Sequence, residues 1–155
     1  MADCKNGTFF QVRIPLVLAS GSPRRREFLS AMGLDFRAVS APEEAEPLPL
    51  PGENPEAYVL RAARAKAAYV RDSEIASGVP GAGESAYIGA DTTVVLDGDI
   101  LGKPADIEEA FVFLRRLAGR EHRVISAVCL RLPVLSGAGT GDMPEDGAEE
   151  SFAVT

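Results

Sequence analysis

Apolar residues fall along this chain in short runs, some spaced as strands and some as helices. Ile14, Leu16, Val17 and Leu18 form a run without clean alternation, which predicts a buried inner strand over residues 14–20. The run stops at Ser20-Gly21-Ser22. A helix follows: Ser22 suits the N-cap, Pro23 the first helical position and Gly33 the C-terminal stop. Phe28, Leu29 and Met32 recur at helical spacing and predict its buried face. "DFRAVSA", residues 35–41, reads as a second strand. The proline- and glutamate-rich "PEEAEPLPLPGENPEAY" predicts a loop, ending where Asn54 caps a helix with Pro55 in its first turn. Alanine-rich sequence of high helix propensity carries that helix to about Arg71.

The second half continues the alternation. "SGVPGAGES" predicts a surface loop, and "AYIGADTTVVLDGDILGKP" a strand, a turn at Asp97-Gly98 and a returning strand. Asp106 and Glu109 have capping-box spacing for a helix through Ala118, stopped by Gly119. "HRVISAVCLRLP" predicts another strand. After Pro133 the apolar pattern fades, and residues 134–150 predict a flexible acidic, Gly-rich insert. "SFAVT" reads as the beginning of a further strand. Strands alternating with helices point to an α/β protein.

Composition narrows the class. The 155 residues suffice for one domain with its own core. A net charge of −7 argues against a general nucleic-acid binder. Much of that acidity sits late in the chain, where Asp142, Glu145, Asp146, Glu149 and Glu150 are joined by no base. Cys4 and Cys129 lie far apart and near no histidine cluster, which disfavours a disulfide framework or a zinc site. No apolar run reaches membrane-spanning length, and "RIPLVLAS" is too short to be a signal peptide. A cytoplasmic protein that binds no membrane is expected.

The chemistry gathers at a few positions. A helix N-terminus offers unpaired N–H groups and the positive end of its dipole, so the Ser20–Arg25 corner suits an anion. Ser20 and Ser22 add hydroxyl donors, Gly21 permits close approach, and Arg24 and Arg25 can clamp phosphate oxygens. Arginine in a first helical turn opposes the dipole, so a helix seeking only stability would carry acids there. The alternative is a solvated basic face after an ordinary N-cap. Lys66 has Ala62, Ala63, Tyr69 and Val70 at helical spacing. Either it snorkels at the edge of a core helix or its ammonium enters a cleft. Asp91, between "YIGA" and "TTVVL", is either a turn residue or a functional acid able to bind Mg²⁺ or take a proton from water. Lys103 in "LGKP" returns from the same hairpin or is a plain loop lysine. Glu43 and Glu44 complete a metal site or form a solvated acidic run. His122, the only histidine, has no partner at a spacing that makes a nucleophilic triad and reads as structural. No GxxxxGK[ST] motif is present. Cations, separate lysines and an acid together suggest a nucleotide-phosphate site without a P-loop.

"ASGSPRRREFL", "YVLRAARAKA", "IGADTTVVLDGDILGKP" and "LAGREHRVISAV" occur in that order. They resemble the Maf family of nucleoside triphosphate pyrophosphatases over about residues 14–132. The resemblance implies an α/β fold with a curved mixed sheet flanked by helices. It further implies two lobes with a central cleft, related in architecture to inosine triphosphatases. It implies Mg²⁺- or Mn²⁺-dependent hydrolysis between the α and β phosphates, a house-cleaning reaction that yields a nucleoside monophosphate and pyrophosphate. By motif position Asp91 matches the family's proton acceptor and metal-binding acid. Ser20, Ser22, Arg24 and Arg25 match its phosphate corner, and Lys66 and Lys103 its cleft lysines. Glu44 matches the metal-binding acid after the second strand, with Glu43 as the neighbouring alignment. "SPRR" and "GADT" resemble the branch acting on dTTP and UTP. The 7-methyl-GTP branch tends to carry glutamine after the aspartate, where this chain has Thr92. Arg24 and Thr92 are therefore expected to bear on base choice.

Family members continue past "SFAVT" with the rest of a strand, a helix, a segment resembling "KAGAYGIQG" and closing strands. Residues 1–155 are accordingly expected to be a single domain lacking that segment, with its second lobe incomplete. Three functional classes follow. The first is a pyrophosphatase, expected to form a homodimer. The second is a non-catalytic nucleotide-binding protein, with a regulatory role such as the family's link to septum formation. The third is an interaction module resting on the acidic residues 142–150.

Overall fold

The computed structural model describes residues 13–133 and 149–154. Strand β1 (Leu16–Ala19) is buried along its whole length, as its unbroken apolar run requires. Helix α1 (Pro23–Ala31) starts on Pro23 and ends before Gly33, whose φ of 74° is the left-handed conformation that favours glycine. It leads to β2 (Arg37–Ala38), which pairs parallel with Val17 and Leu18. This strand is shorter than the expected 35–41 because only those positions meet β1. Residues Glu43–Ala45 form a 3₁₀ turn within the predicted loop.

Helix α2 (Pro55–Ala76) begins at Asn54, whose side chain accepts from the Glu56 and Ala57 amides. It runs past Arg71, the expected end. Glu74 near its end is buried and hydrogen-bonded to both Arg37 and the Tyr87 hydroxyl. That network ties the last turn to the sheet and rewards continuation of the helix. Burial and the Glu74 hydrogen bond push the Tyr87 hydroxyl up to about 12. The predicted surface loop before the next strand contains a 3₁₀ turn, Ala82–Glu84, with Ala82 buried.

Strand β3 (Ala86–Leu96) is the spine of the sheet. It turns through Asp97 and Gly98, both at positive φ (54° and 92°), into β4 (Asp99–Leu101). Helix α3 (Ile107–Leu117) is capped by Asp106, which accepts from the Glu109 amide at 2.8 Å. Strands β5 (Arg123–Arg131) and β6 (Glu149–Val154) complete a mixed sheet in the order β2-β1-β3-β5-β6, with β4 on the far end of β3. The expected mixed α/β sheet flanked by helices is therefore present. β6 takes in Glu149 and Glu150, which the sequence pattern assigned to the insert. Residues 134–148, with the expected flexibility and three of the acids, lie outside the described residues, as does Cys4.

Two corrections concern packing. Phe28 and Met32 do not form a buried face of α1: they are 70% and 45% exposed, and no residue of α1 is buried. The core instead lies between α2 and the sheet, around Val17, Ala19, Val59, Ala63, Ala67, Tyr87 and Ile125. Gly89 sets how closely those layers approach. A Cβ there would stand 2.1 Å from the Ala63 carbonyl oxygen and 2.9 Å from the Ala67 Cβ. The alanines of α2 therefore supply more than helix propensity, because only small residues allow this contact.

Candidate active site

The close approach of α2 to β3 has a chemical consequence. Lys66 faces the same layer as Ala63 and Ala67, and its ammonium meets Asp91 on β3 at 2.5 Å. The Lys66 and Asp91 side chains are only 15% and 9% exposed. A charge so far removed from water requires a partner, and here each supplies the other's. Of the alternatives open for these residues, the structure selects the cleft lysine and the acid inside a strand.

Strand lengths explain why Asp91 has a cavity beside it. β1 pairs with β3 only from Leu16↔Ala86 to Ala19↔Gly89, and β4 joins β3 only from Val94 onwards. Residues 90–93 thus have β5 on one side and, among the described residues, no strand on the other. The chain leaving β1 turns away at Ser20-Gly21-Ser22, and a cavity of about 520 Å³ opens at that gap. It is lined by Ser20, Ser22, Arg24, Arg25, Lys66, Asp91, Thr92 and Lys103, every residue that the sequence assigned to catalysis or substrate. Gly21 lies close against Ser40, where a Cβ would stand 2.7 Å from its Oγ.

The corner is organised from within. Ser20 is buried, and its Oγ accepts from the Ser22 amide at 3.3 Å and from Arg25 at 3.1 Å. The Ser22 hydroxyl sits at the N-cap without making a capping hydrogen bond. Consecutive arginines point differently, since neighbouring helical residues are rotated by about 100°. Arg24 is exposed at the cavity wall. Arg25 is turned inward and donates to Ser20 Oγ, to the Ala90 carbonyl at 3.0 Å and to Thr92 Oγ1 at 3.1 Å. Burial pulls its pKa down, opposed by the Asp91 charge. Thr92 Oγ1 also lies 3.0 Å from Ser126 Oγ on β5.

The acids that line the cavity beside Asp91 are Glu43 and Glu46. Side chains three apart eclipse in a 3₁₀ turn, so Glu43 and Glu46 share a face and Glu44 does not. Glu46 lies 3.0 Å from Lys66 and 3.2 Å from Lys103, and Glu43 lies 3.7 Å from Lys103. Glu44 is exposed and does not line the cavity. Burial alone would raise the Glu46 pKa, but hydrogen bonds and charge from Lys66 and Lys103 outweigh it and leave it lowered. Lys103 returns to the cavity, meeting Glu46 and Glu43. The three-residue spacing of Glu43 and Glu46 in "PEEAE" places them together only once the 3₁₀ turn is known. Ser126 had no comparable sequence signal, because only the Thr92↔Ser126 register brings it to the site.

The carboxylates of Asp91 and Glu46 converge on one ammonium. Two carboxylates beside a cationic corner form a donor set that suits Mg²⁺, which keeps several waters and needs few protein ligands. No group of three metal-ligating side chains occurs among the described residues. His122, exposed just before β5 and outside the cavity, has its Nδ1 3.3 Å from the Arg120 carbonyl oxygen.

A mixed-sheet α/β protein with a polar cleft at the C-terminal end of its first strand is thereby defined. Its cleft joins a serine–arginine corner to a lysine–carboxylate pair. The chain belongs to the Maf family: residues 15–147 match the family described as "Maf-like protein". Three curated relatives named dTTP/UTP pyrophosphatase are similar to it. The protein of Nitratidesulfovibrio vulgaris (strain Hildenborough) is 48% identical over 124 residues, covering 80% of this chain and 55% of the relative. That of Oleidesulfovibrio alaskensis is 49% identical over 124 residues, covering 80% and 52%. That of Burkholderia thailandensis is 52% identical over 118 residues, covering 73% and 54%. The chain spans about half the length of the curated relatives it matches.

Proposed function

We propose that this chain is a nucleoside triphosphate pyrophosphatase that hydrolyses dTTP and UTP to the monophosphate and pyrophosphate. The observation that supports this most is the junction, in one cavity of about 520 Å³, of an anion-accepting corner with the buried Lys66–Asp91 pair. The names of its relatives support the choice of substrate.

In this reading the α1 N-terminus, Ser22 and Arg24 hold the polyphosphate. Ser20 shapes the corner. Lys66 and Lys103 offset phosphate charge. Asp91 orients a water against the α phosphorus and takes its proton. Asp91 and Glu46 would hold a divalent cation, Mg²⁺ or Mn²⁺, which when bound supplies charge neutralisation for the transition state and the leaving pyrophosphate. Most of the rate enhancement then comes from positioning and electrostatics. Arg24 and Thr92, at the cavity rim, bear on the base. No helix among the described residues is long and apolar enough to cross a membrane. The cytoplasm, where nucleoside triphosphate pools lie, and a homodimer complete the proposal.

Pyrophosphate release from a panel of nucleoside triphosphates, with Mg²⁺ and with Mn²⁺, tests it. The expected outcome is release from dTTP and UTP, lowered by about two to four orders of magnitude in Asp91→Asn without loss of nucleotide binding. The second reading is a nucleotide-binding protein without turnover. Binding with no release from any triphosphate would establish that reading instead.

A further inference from the structure

Three adjacent arginines look alike in sequence, yet one of them is committed to the protein. Arg25 directs one terminal nitrogen to both Ser20 Oγ and the Ala90 carbonyl, and the other to Thr92 Oγ1. A guanidinium has five N–H donors in a rigid plane, so most of this fork is spent inside the fold. Two of its acceptors, on Ala90 and Thr92, lie where β3 has lost β1 as a neighbour and has not yet met β4. The Ala90 carbonyl and the Thr92 hydroxyl flank Asp91 on both sides. Thr92 passes the connection on to Ser126 across the β3–β5 ladder.

We propose that Arg25 is a positioning residue: its fork replaces the missing strand along residues 90–92 and fastens Asp91 to the Ser20 corner. This role rests on reading the cavity as a triphosphate site. It differs from the phosphate clamp that the residue type suggests. An arginine donating to phosphate adds affinity for any polyphosphate. An arginine holding Asp91 and Ser20 in register adds rate, through the distance between the attacking water and the phosphorus. Lysine keeps the charge but lacks the planar fork, so Arg25→Lys separates the two roles.

The experiment uses the whole 155-residue chain as wild type, Arg25→Lys and Thr92→Val. It measures calorimetric affinity for inorganic tripolyphosphate with Mg²⁺, kcat and KM for pyrophosphate release from dTTP, and amide hydrogen exchange over residues 90–92. Arg25→Lys is expected to lower kcat by about tenfold or more while KM and tripolyphosphate affinity stay within about threefold. Exchange at residues 90–92 should quicken by about tenfold. Thr92→Val removes one contact and should quicken exchange less. A fall of about tenfold in tripolyphosphate affinity with unchanged exchange would make Arg25 a phosphate ligand and overturn the proposal. So would a variant indistinguishable from wild type. Should Arg25→Lys not fold, Thr92→Val decides: faster exchange at Asp91 with retained tripolyphosphate affinity upholds the role, and unchanged exchange removes it. If wild type releases no pyrophosphate from any triphosphate, the proposed reaction fails, while the exchange and tripolyphosphate arms still decide what Arg25 does.

Discussion

Helices α2 and α3 flank one sheet and treat their apolar residues in opposite ways. α2 buries Tyr58, Val59, Ala62, Ala63, Ala67 and Val70. α3 has the cleaner amphipathic pattern and buries nothing: Ile107, Phe111 and Leu114 are 73%, 57% and 62% exposed. The cavity follows the first helix. Small residues on α2, with Gly89 opposite, bring two layers close enough for a lysine on one to reach an acid on the other. Large residues on α3 present a face without that intimacy. A strong apolar stripe records what a helix is able to bury, whereas a run of alanines against a glycine records a contact that has to be close.

The contrast can be broken most directly at Gly89. Gly89→Ala drives a methyl into the Ala63 carbonyl, so either α2 moves or the strand does. A loss of about 3 kcal/mol is expected in urea unfolding, with pyrophosphate release lost as Lys66 and Asp91 separate. Val59→Ala, fully buried on the same helix, should cost about 2 kcal/mol. It should spare release in the folded fraction, since it opens a void without moving the Lys66–Asp91 pair.

Acid should also act on the α2 side. The Arg37 hydrogen bond, with help from Tyr87 and against burial, holds the Glu74 carboxyl below its ordinary 4.5. A lowered folded-state pKa gives stability that is present above 4.5 and fades as pH falls through the folded value. The melting temperature should therefore drop below that pH, and Glu74→Gln should make the drop shallower while lowering stability at neutral pH. Glu46 and other lowered carboxyls keep part of the slope in the variant. On the α3 side, Phe111→Ser should change unfolding free energy by only about 0.5 kcal/mol, because more than half of Phe111 is already exposed to water. A large loss there would mean that this face is covered in solution and would end the contrast.

Much of the architecture was legible along the chain. The caps at Asn54 and Asp106, the Asp97-Gly98 turn and the buried runs of β1 and β3 are local signals, and each stands where it was read. The cavity residues were legible too, through residue type and motif order, except for one acid. Glu46, which lines the cavity, was not singled out, because a 3₁₀ turn, invisible in a proline-rich segment, sets which side chain faces in. Phe28 and Met32 were misread because helical periodicity marks a stripe without saying what lies against it.

The sequence by itself determined the alternation of elements, their caps and turns, and the assembly of cations and acids suited to phosphate. Those depend on short-range sterics, hydrogen bonding and residue chemistry. The tertiary structure alone decided that Lys66 meets Asp91 and that Arg25 is bound while Arg24 is exposed. It also brought Ser126 within reach of Thr92. Such contacts depend on strand register and on the distance between layers, set jointly by residues far apart in the chain, so no local window contains them.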